Sequence, residues 1–230
     1  MNVNKQIFVF IGPPGSGKGS LSQACVKDLG WAQLSTGDLC RHHISHGTEL
    51  GKQIDFFIRS GKLIPDGLMI DMVETWLLEK LNSLDILILD GFPRTLVQAQ
   101  ALDDLLRKEK FSNVNFRVIQ LAIDDDMVVH RMMSRLVCPQ CGTVYSKEHE
   151  ELKPRIDMIC DKCPGVSLVV RSDDTADSIR HRLAIYHKHA QELVDYYQKQ
   201  GANKVAVLQA HKPLHDVFAD FKKMIGLEVR

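Results

Sequence analysis

The feature that most constrains this chain is the loop Gly12-Pro13-Pro14-Gly15-Ser16-Gly17-Lys18, set between an apolar run and a helical one. Before it, Gln6-Ile7-Phe8-Val9-Phe10-Ile11 is short and apolar enough for a buried strand. After it, the pattern predicts a helix from about Lys18 to Lys27. A Gly-x-x-x-x-Gly-Lys spacing at a strand-to-helix junction lets the backbone curl until several N–H groups point inward at phosphate oxygens. The helix N-terminus adds its partial positive charge, and Lys18 adds a full one. The bland reading, a Gly/Pro turn with a chance lysine, does not account for the strand and helix on either side. The loop therefore predicts a nucleotide-phosphate site.

The rest of the chain alternates in the same manner. Helical patterns run over about 38–59 (broken near His46-Gly47-Thr48), 67–82, 96–110, 124–135 and 175–200, and again from Pro213. Strand-like runs fall at 85–90, 115–123 and 204–208. Such alternation predicts an α/β fold, a parallel sheet covered by helices on both faces. No apolar run approaches the ~20 residues that span a bilayer. Lys plus Arg (29) equals Asp plus Glu (29), so the composition offers no bulk attraction to nucleic acid or anionic lipid. Met1 to Lys5 leads into the first strand without a leader pattern, which predicts a soluble, cytoplasmic protein.

From Val137 to about Asp174 apolar periodicity is lost, and cysteine, proline and glycine take over. Cys138-x-x-Cys141 and Cys160-x-x-Cys163 are separated by 18 residues. Two such knuckles at that spacing form a zinc ribbon, in which four thiolates close a tetrahedron and leave no open position for catalysis. A disulfide pair, or four free buried cysteines, are the other readings of the same letters. Cys25 and Cys40 stand apart and read as small core residues.

Several segments together resemble the adenylate kinase family. After Lys18 comes Gly19, with the hydroxyl one residue later at Ser20, a spacing similar to nucleoside monophosphate kinases rather than switch GTPases or generic ATPases. Ser35-Thr36-Gly37-Asp38-Leu39-Cys40-Arg41 resembles the family's Thr-Gly-Asp-x-x-Arg segment. Gly61-Lys62-Leu63-Ile64-Pro65-Asp66 and Asp90-Gly91-Phe92-Pro93-Arg94-Thr95, with Gln98, resemble two more. The resemblance covers about Gln6 to Pro213, with its motifs in order. It implies ATP phosphates on Gly12, Gly15, Ser16, Gly17, Lys18, Gly19 and Ser20. It implies AMP phosphate on Arg41 and Arg94, adenine on Thr36 and Gln98, and an AMP pocket that includes Lys62, Ile64 and Gly91. Arginine forks suit this task because they bind phosphate oxygens in pairs. Asp90, at a strand's carboxyl end, can hold Mg²⁺ through water, or serve as a turn aspartate beside Gly91.

The inserted unit resembles the zinc-bearing lid of many bacterial members. The likeness implies that Arg135, Arg171 and Arg182 clamp the transferring phosphoryl group, the latter two also reaching AMP. Arg131 then lies near the ATP adenine, or forms an i,i+4 surface pair on its helix. Asp173 and Asp174 orient the arginines, and the Lys212 segment meets the ATP base, although Gln209-Ala210 stands where the family has Asp-Gly. Pro164 likewise stands where the family has glycine. His42 and His46 share a helix face without a carboxylate at useful spacing, and read as a polar face rather than a metal site.

The expected protein is a monomer with a P-loop core (1–34, 65–135 and 175–230), an AMP-binding insert (35–64) and a zinc lid (136–174). Its expected reaction is reversible transfer of the terminal phosphoryl group of ATP to AMP, giving two ADP, with Mg²⁺ and a structural Zn²⁺ and with catalytic roles for Lys18, Arg94, Arg135, Arg171 and Arg182. Another nucleoside monophosphate kinase and a zinc-ribbon ATPase are the alternatives. Thr36 and Gln98 argue against the first, and the lack of basic excess against nucleic-acid work by the second.

Overall fold

Residues Lys5–Ile11 form the first strand, β1, and the run from Ile7 to Ile11 is buried throughout. Neighbours in a strand point to opposite faces, so an unbroken buried run means that both faces of the sheet are covered. The computed structural model describes residues 5–59, 64–81, 83–108, 111, 113–201 and 204–227. After β1 come α1 (Lys18–Leu29), β2 (Ala32–Ser35), α2 (Thr36–Ser45), α3 (Glu49–Arg59), α4 (Asp66–Lys80) and β3 (Ile86–Asp90). Next are α5 (Leu96–Leu106), β4 (Val114–Ala122), α6 (Asp125–Met133), β5 (Arg135–Val137) and β6 (Val144–Ser146). The chain closes with α7 (Ala176–Gln198), β7 (Val205–Gln209) and α8 (Leu214–Met224).

The main sheet has the order β2-β3-β1-β4-β7. The pairings β2–β3, β3–β1 and β1–β4 are parallel, as the alternation of strands and helices requires. From β1 the chain goes to β2 and β3 on one side, then to β4 on the other. That reversal marks the position at which open parallel sheets bind ligands beyond the strand ends. Ser35, Asp90 and Phe10 stand level across β2, β3 and β1.

The break expected near residue 47 lies between α2 and α3. Ser35 caps α2 by accepting from the Asp38 N–H, and Gly47 at φ +61° turns the chain before Thr48 accepts from the Gly51 N–H to start α3. The helix expected to reach residue 110 ends at Leu106, where Lys108 N–H bonds back to Leu105 in a tighter turn. Two compact units emerge: Met1–Ile11, Leu21–Gln120 and His189–Val207 form one, and Gly12–Ser20, Leu121–Lys188 and Leu208–Arg230 form the other.

The first unit holds the sheet's apolar centre, including the fully buried Phe10, Phe92 and Tyr197. Phe8 stacks on Trp31 with ring centroids 5.2 Å apart. Cys25 and Cys40 are buried here, as small core residues should be.

Apolar clusters of the second unit include one under α6 and one in the insert. Val128 and Met132 of α6 pack with Ile179 and Leu183 of α7. In the insert, Leu136, Cys138, Tyr145, Cys160 and Leu168 are buried together. The insert thus has a small core of its own. Its frame is the antiparallel pair β5–β6, closed by a bridge from Val137 to Val169. Among the described residues, no helix is long and apolar enough to cross a membrane.

Candidate active site

In the phosphate loop the glycines answer to geometry. Gly15 sits at φ +77°, and a Cβ there would come within 2.7 Å of Met132 Cγ. Ser16 is buried, and its N–H closes the turn on the Pro13 carbonyl at 3.1 Å. Lys18 folds over the loop, donating to the carbonyls of Gly12 (2.7 Å) and Pro13 (2.8 Å) and to Ser16 Oγ (3.3 Å). These are neutral acceptors that an anion can replace at an electrostatic gain. Gly17, Gly19 and Ser20 complete the loop and the first turn of α1.

On the first unit, the acceptor-side residues gather at the carboxyl end of β3. Gly91 sits at φ +85°, and a Cβ there would meet Thr36 Oγ1 at 2.6 Å and an Arg94 terminal nitrogen at 2.9 Å. Thr36 is buried and donates its hydroxyl to the Gly91 carbonyl at 3.0 Å. Arg94 Nε donates to the same carbonyl at 2.8 Å. Loss of surrounding water lowers the Arg94 pKa, the charge of Asp90 opposes this, and Arg41 adds to it. Its side chain nonetheless reaches solvent. An arginine open to water stays charged. Burial raises the Cys40 thiol pKa, against the pull of Arg94 and Arg41, so both guanidiniums flank that thiol. Arg41 is held by Asp38 one helical turn away. Gln98 is buried; its Oε1 accepts from the Arg94 N–H and its Nε2 donates to Asp66 Oδ1, both at 2.8 Å. Ile64 lies half-buried ahead of α4, whereas Lys62 falls outside the described residues.

In the second unit, three arginines from both sides of the insert converge on one dipeptide. Arg135 grips the fully buried Asp174 carboxylate with two nitrogens, Nε at 2.7 Å and Nη2 on the other oxygen. Arg182 Nη1 lies 2.9 Å from Asp173 and 3.6 Å from Asp174. Arg171 Nε donates to Asp173 at 3.2 Å. Burial favours the neutral form of Asp173, but the charges of Arg171, Arg182 and Arg135 prevail and hold its pKa below the ordinary carboxylate value. Such paired carboxylates fix the guanidinium planes.

Arg131 is engaged with backbone, not with an i,i+4 acid. Its Nη1 donates to the Ala210 carbonyl at 2.9 Å and its Nη2 to that of His211 at 3.3 Å, with Lys212 O at 3.5 Å. Arg131 and the Lys212 segment therefore form one surface despite the unusual Gln209-Ala210. The Lys212 ammonium itself is spent on Asp220 at 2.7 Å.

Cys138, Cys141, Cys160 and Cys163 bring their sulfurs within 4.8 Å of one another. The Cys141 and Cys160 sulfurs are 3.7 Å apart, against ~3.8 Å for the edge of a tetrahedron with Zn–S near 2.3 Å. Donor set and spacing thus fit zinc. Against burial, hydrogen bonds from Tyr145, from the backbone and from Cys138 bring the Cys160 thiol down to about 6, while burial and its sulfur neighbours push Cys163 up to about 12. In the first knuckle the positive φ falls on Gly142 (+70°), directly after Cys141; in the second it falls on Gly165 (+76°). Pro164 is accommodated because the left-handed turn is made one residue later.

Two contributors escaped the sequence reading. Gln33, in the unrecognised strand β2, donates to Asp90 Oδ2 at 3.1 Å. Asp66, quoted only as part of a motif, supports Gln98 and Thr95. Period-2 alternation in Ala32-Gln33-Leu34-Ser35 was the one available signal for β2. His42 and His46 share a face as expected, their rings stacked at 4.1 Å.

Comparison with known proteins agrees with this geometry. The family model for adenylate kinase matches residues 10–202. The chain is 39% identical over 211 residues to the adenylate kinase of Zymomonas mobilis, covering 91% of each protein. It is 40% identical over 197 residues to that of Archaeoglobus fulgidus, covering 84% of this chain and 87% of the relative. To that of Fervidobacterium nodosum it is 37% identical over 222 residues, covering 95% and 97%. The phosphate loop, the Gly91–Arg94 corner and the arginine cluster thus lie in a sequence that matches along most of its length, and the chain belongs to the adenylate kinase family.

Proposed function

We propose that the chain moves the terminal phosphoryl group of Mg-ATP to AMP, reversibly, giving two ADP. The observation that carries the reading is the convergence of Arg135, Arg171 and Arg182 on Asp173 and Asp174, which presents three oriented guanidiniums in one place. ATP phosphates sit on Gly12, Gly15, Ser16, Gly17, Lys18, Gly19 and Ser20, with the adenine against Arg131 and the Lys212 backbone. AMP takes its phosphate contacts from Arg41, Arg94, Arg171 and Arg182, and its base contacts from Thr36, Gln98, Gly91 and the Lys62–Ile64 stretch.

An AMP phosphate oxygen attacks the γ-phosphorus, the bond from that phosphorus to the bridging oxygen breaks, and the ADP leaving group departs in line. The attacking oxygen is already an anion, so no side chain need take a proton. Catalysis is then positioning and charge stabilisation by Lys18, Arg94 and the three arginines gathered at Asp173 and Asp174. Mg²⁺ accompanies ATP and spreads the charge of its terminal phosphates; Asp90, steadied by Gln33, is the carboxylate to hold it through water. Zn²⁺ on the four cysteines fixes the insert's shape and takes no part in transfer.

Residues 35–64 act as the AMP-binding insert and 136–174 as the lid, on a core of 1–34, 65–135 and 175–230. Four closely set thiols stay available for metal only where thiols are kept reduced, which supports a cytoplasmic setting. We read the chain as a monomer.

The test is a coupled assay of ADP formation from Mg-ATP with AMP, CMP, UMP and GMP offered separately. ADP with AMP alone, and little hydrolysis without an acceptor, is expected. Preference for another monophosphate would move the base pocket, and acceptor-independent hydrolysis would overturn the transfer reading.

A further inference from the structure

Asp66, at the start of α4, has no role in the scheme so far. Its Oδ1 receives two hydrogen bonds, from Gln98 Nε2 at 2.8 Å and from Thr95 Oγ1 at 3.2 Å. At the other end of the same amide, Gln98 Oε1 accepts from the Arg94 backbone N–H at 2.8 Å. Thr95 Oγ1 also accepts from the Gln98 N–H at 3.2 Å, capping α5 and seating the side chain from below.

The two partners of the amide have opposite and fixed polarity. A carboxylate only accepts, and a backbone N–H only donates. Turning the amide over would set its oxygen against the carboxylate and its NH₂ against an N–H. Gln98 is only 4% exposed, so little water is at hand to relieve either clash. The orientation of this amide is therefore fixed by its neighbours.

One N–H and one carbonyl lone pair of the amide remain for a ligand. That matters for base choice. The six-position of adenine is an amino donor beside a ring-nitrogen acceptor; in a 6-oxopurine it is an acceptor beside a ring N–H donor. A glutamine free to turn over can serve either edge, and one that is locked serves one edge only.

We propose that Asp66 is a positioning residue for specificity: by locking the Gln98 amide it makes the acceptor pocket accept a 6-aminopurine and refuse a 6-oxopurine. The proposal rests on the reading of Gln98 as the base contact.

IMP is the probe, because it differs from AMP only at this edge. In Asp66→Asn the side chain keeps its shape and its NH₂ can face a reversed amide, so that only the Arg94 N–H still holds the direction. The ratio of kcat/KM for AMP over IMP should fall about tenfold, through a higher KM for AMP and a lower one for IMP rather than through kcat. Gln98→Ala should also collapse the ratio, and adding Asp66→Asn to it should change nothing further. If Gln98→Ala leaves the ratio intact, the base-contact reading itself fails. If Gln98→Ala collapses it but Asp66→Asn does not, or lowers both substrates in proportion, Asp66 is merely structural and the proposal is overturned. A second measurement needs no folded Asp66 variant. The side-chain N–H protons of Gln98 in wild-type protein, assigned by their loss in Gln98→Ala, should exchange with water far more slowly than those of an exposed glutamine. Exchange as fast as that of an exposed glutamine would overturn the lock.

Discussion

Gly91 is a residue whose absence of a side chain is used twice. Its φ of +85° disfavours any L side chain, and the space a Cβ would need is taken by Thr36 Oγ1 and Arg94. Gly91→Ala should cost ~1–3 kcal/mol of backbone strain, read as a lower urea midpoint, and should weaken AMP use as Arg94 is displaced. Arg94 itself supports little of the fold, since its side-chain bond is to one carbonyl. Arg94→Ala should lower kcat/KM for AMP on the order of 100-fold, the cost of one missing donor at a developing charge, with a melting temperature near wild type. Near-normal turnover in a well-folded variant would remove its role. Both residues stand in the segment Asp90-Gly91-Phe92-Pro93-Arg94 that carries the family resemblance, and their closeness in the chain makes the corner legible. Gln33 is not legible in this way. Its meaning comes from a side chain that reaches Asp90 on the neighbouring strand, two residues beyond its register partner Ile88, and contacts at that separation leave no local mark.

At the scale of the element, the insert sets its cluster of four cysteines against its own apolar core. Cys138 and Cys160 belong to the same buried cluster as Leu136, Tyr145 and Leu168. Cys138→Ser should therefore lower the melting temperature more than it lowers turnover at low temperature, and chelation should act in the same direction. Activity abolished with thermal stability unchanged would contradict a structural metal. The two knuckles were plain in the sequence because ligand spacing is local. The hairpin β5–β6 and the Val137–Val169 bridge were not, since three-residue strands carry too few alternations to register. The long helices were placed to within a few residues, α7 most plainly. β2 was passed over because four residues of mixed polarity look like a loop until a neighbour pairs with them.

For the whole molecule, the arginine cluster gives stability a dependence on pH. The folded state holds Asp173 below its ordinary pKa through Arg171, Arg182 and Arg135. A depressed carboxyl contributes its stabilisation above the unfolded value of about 3.9 and loses it as pH falls below that toward the folded one. The gap in urea midpoint between wild type and Asp173→Asn should thus be full near pH ~6 and narrow on acidification below ~4. A gap that stays constant over that window would assign the effect to something other than this charge.

The clasp at Asp173 and Asp174 also says something about how such a chain can vary. Arg135 and Asp174 are 39 positions apart, yet a two-pronged ion pair ties them, and Val137 bridges to Val169 just inside. To the rest of the chain, the stretch between is a loop closed on a fixed anchor, with side ties from Glu148 to His130 and from Glu151 to His215. Doubling the length of a flexible loop so anchored costs only about 0.6 kcal/mol in closure entropy. Its interior can be lengthened, shortened or exchanged for a different way of holding itself together while the guanidiniums at its mouth keep their places.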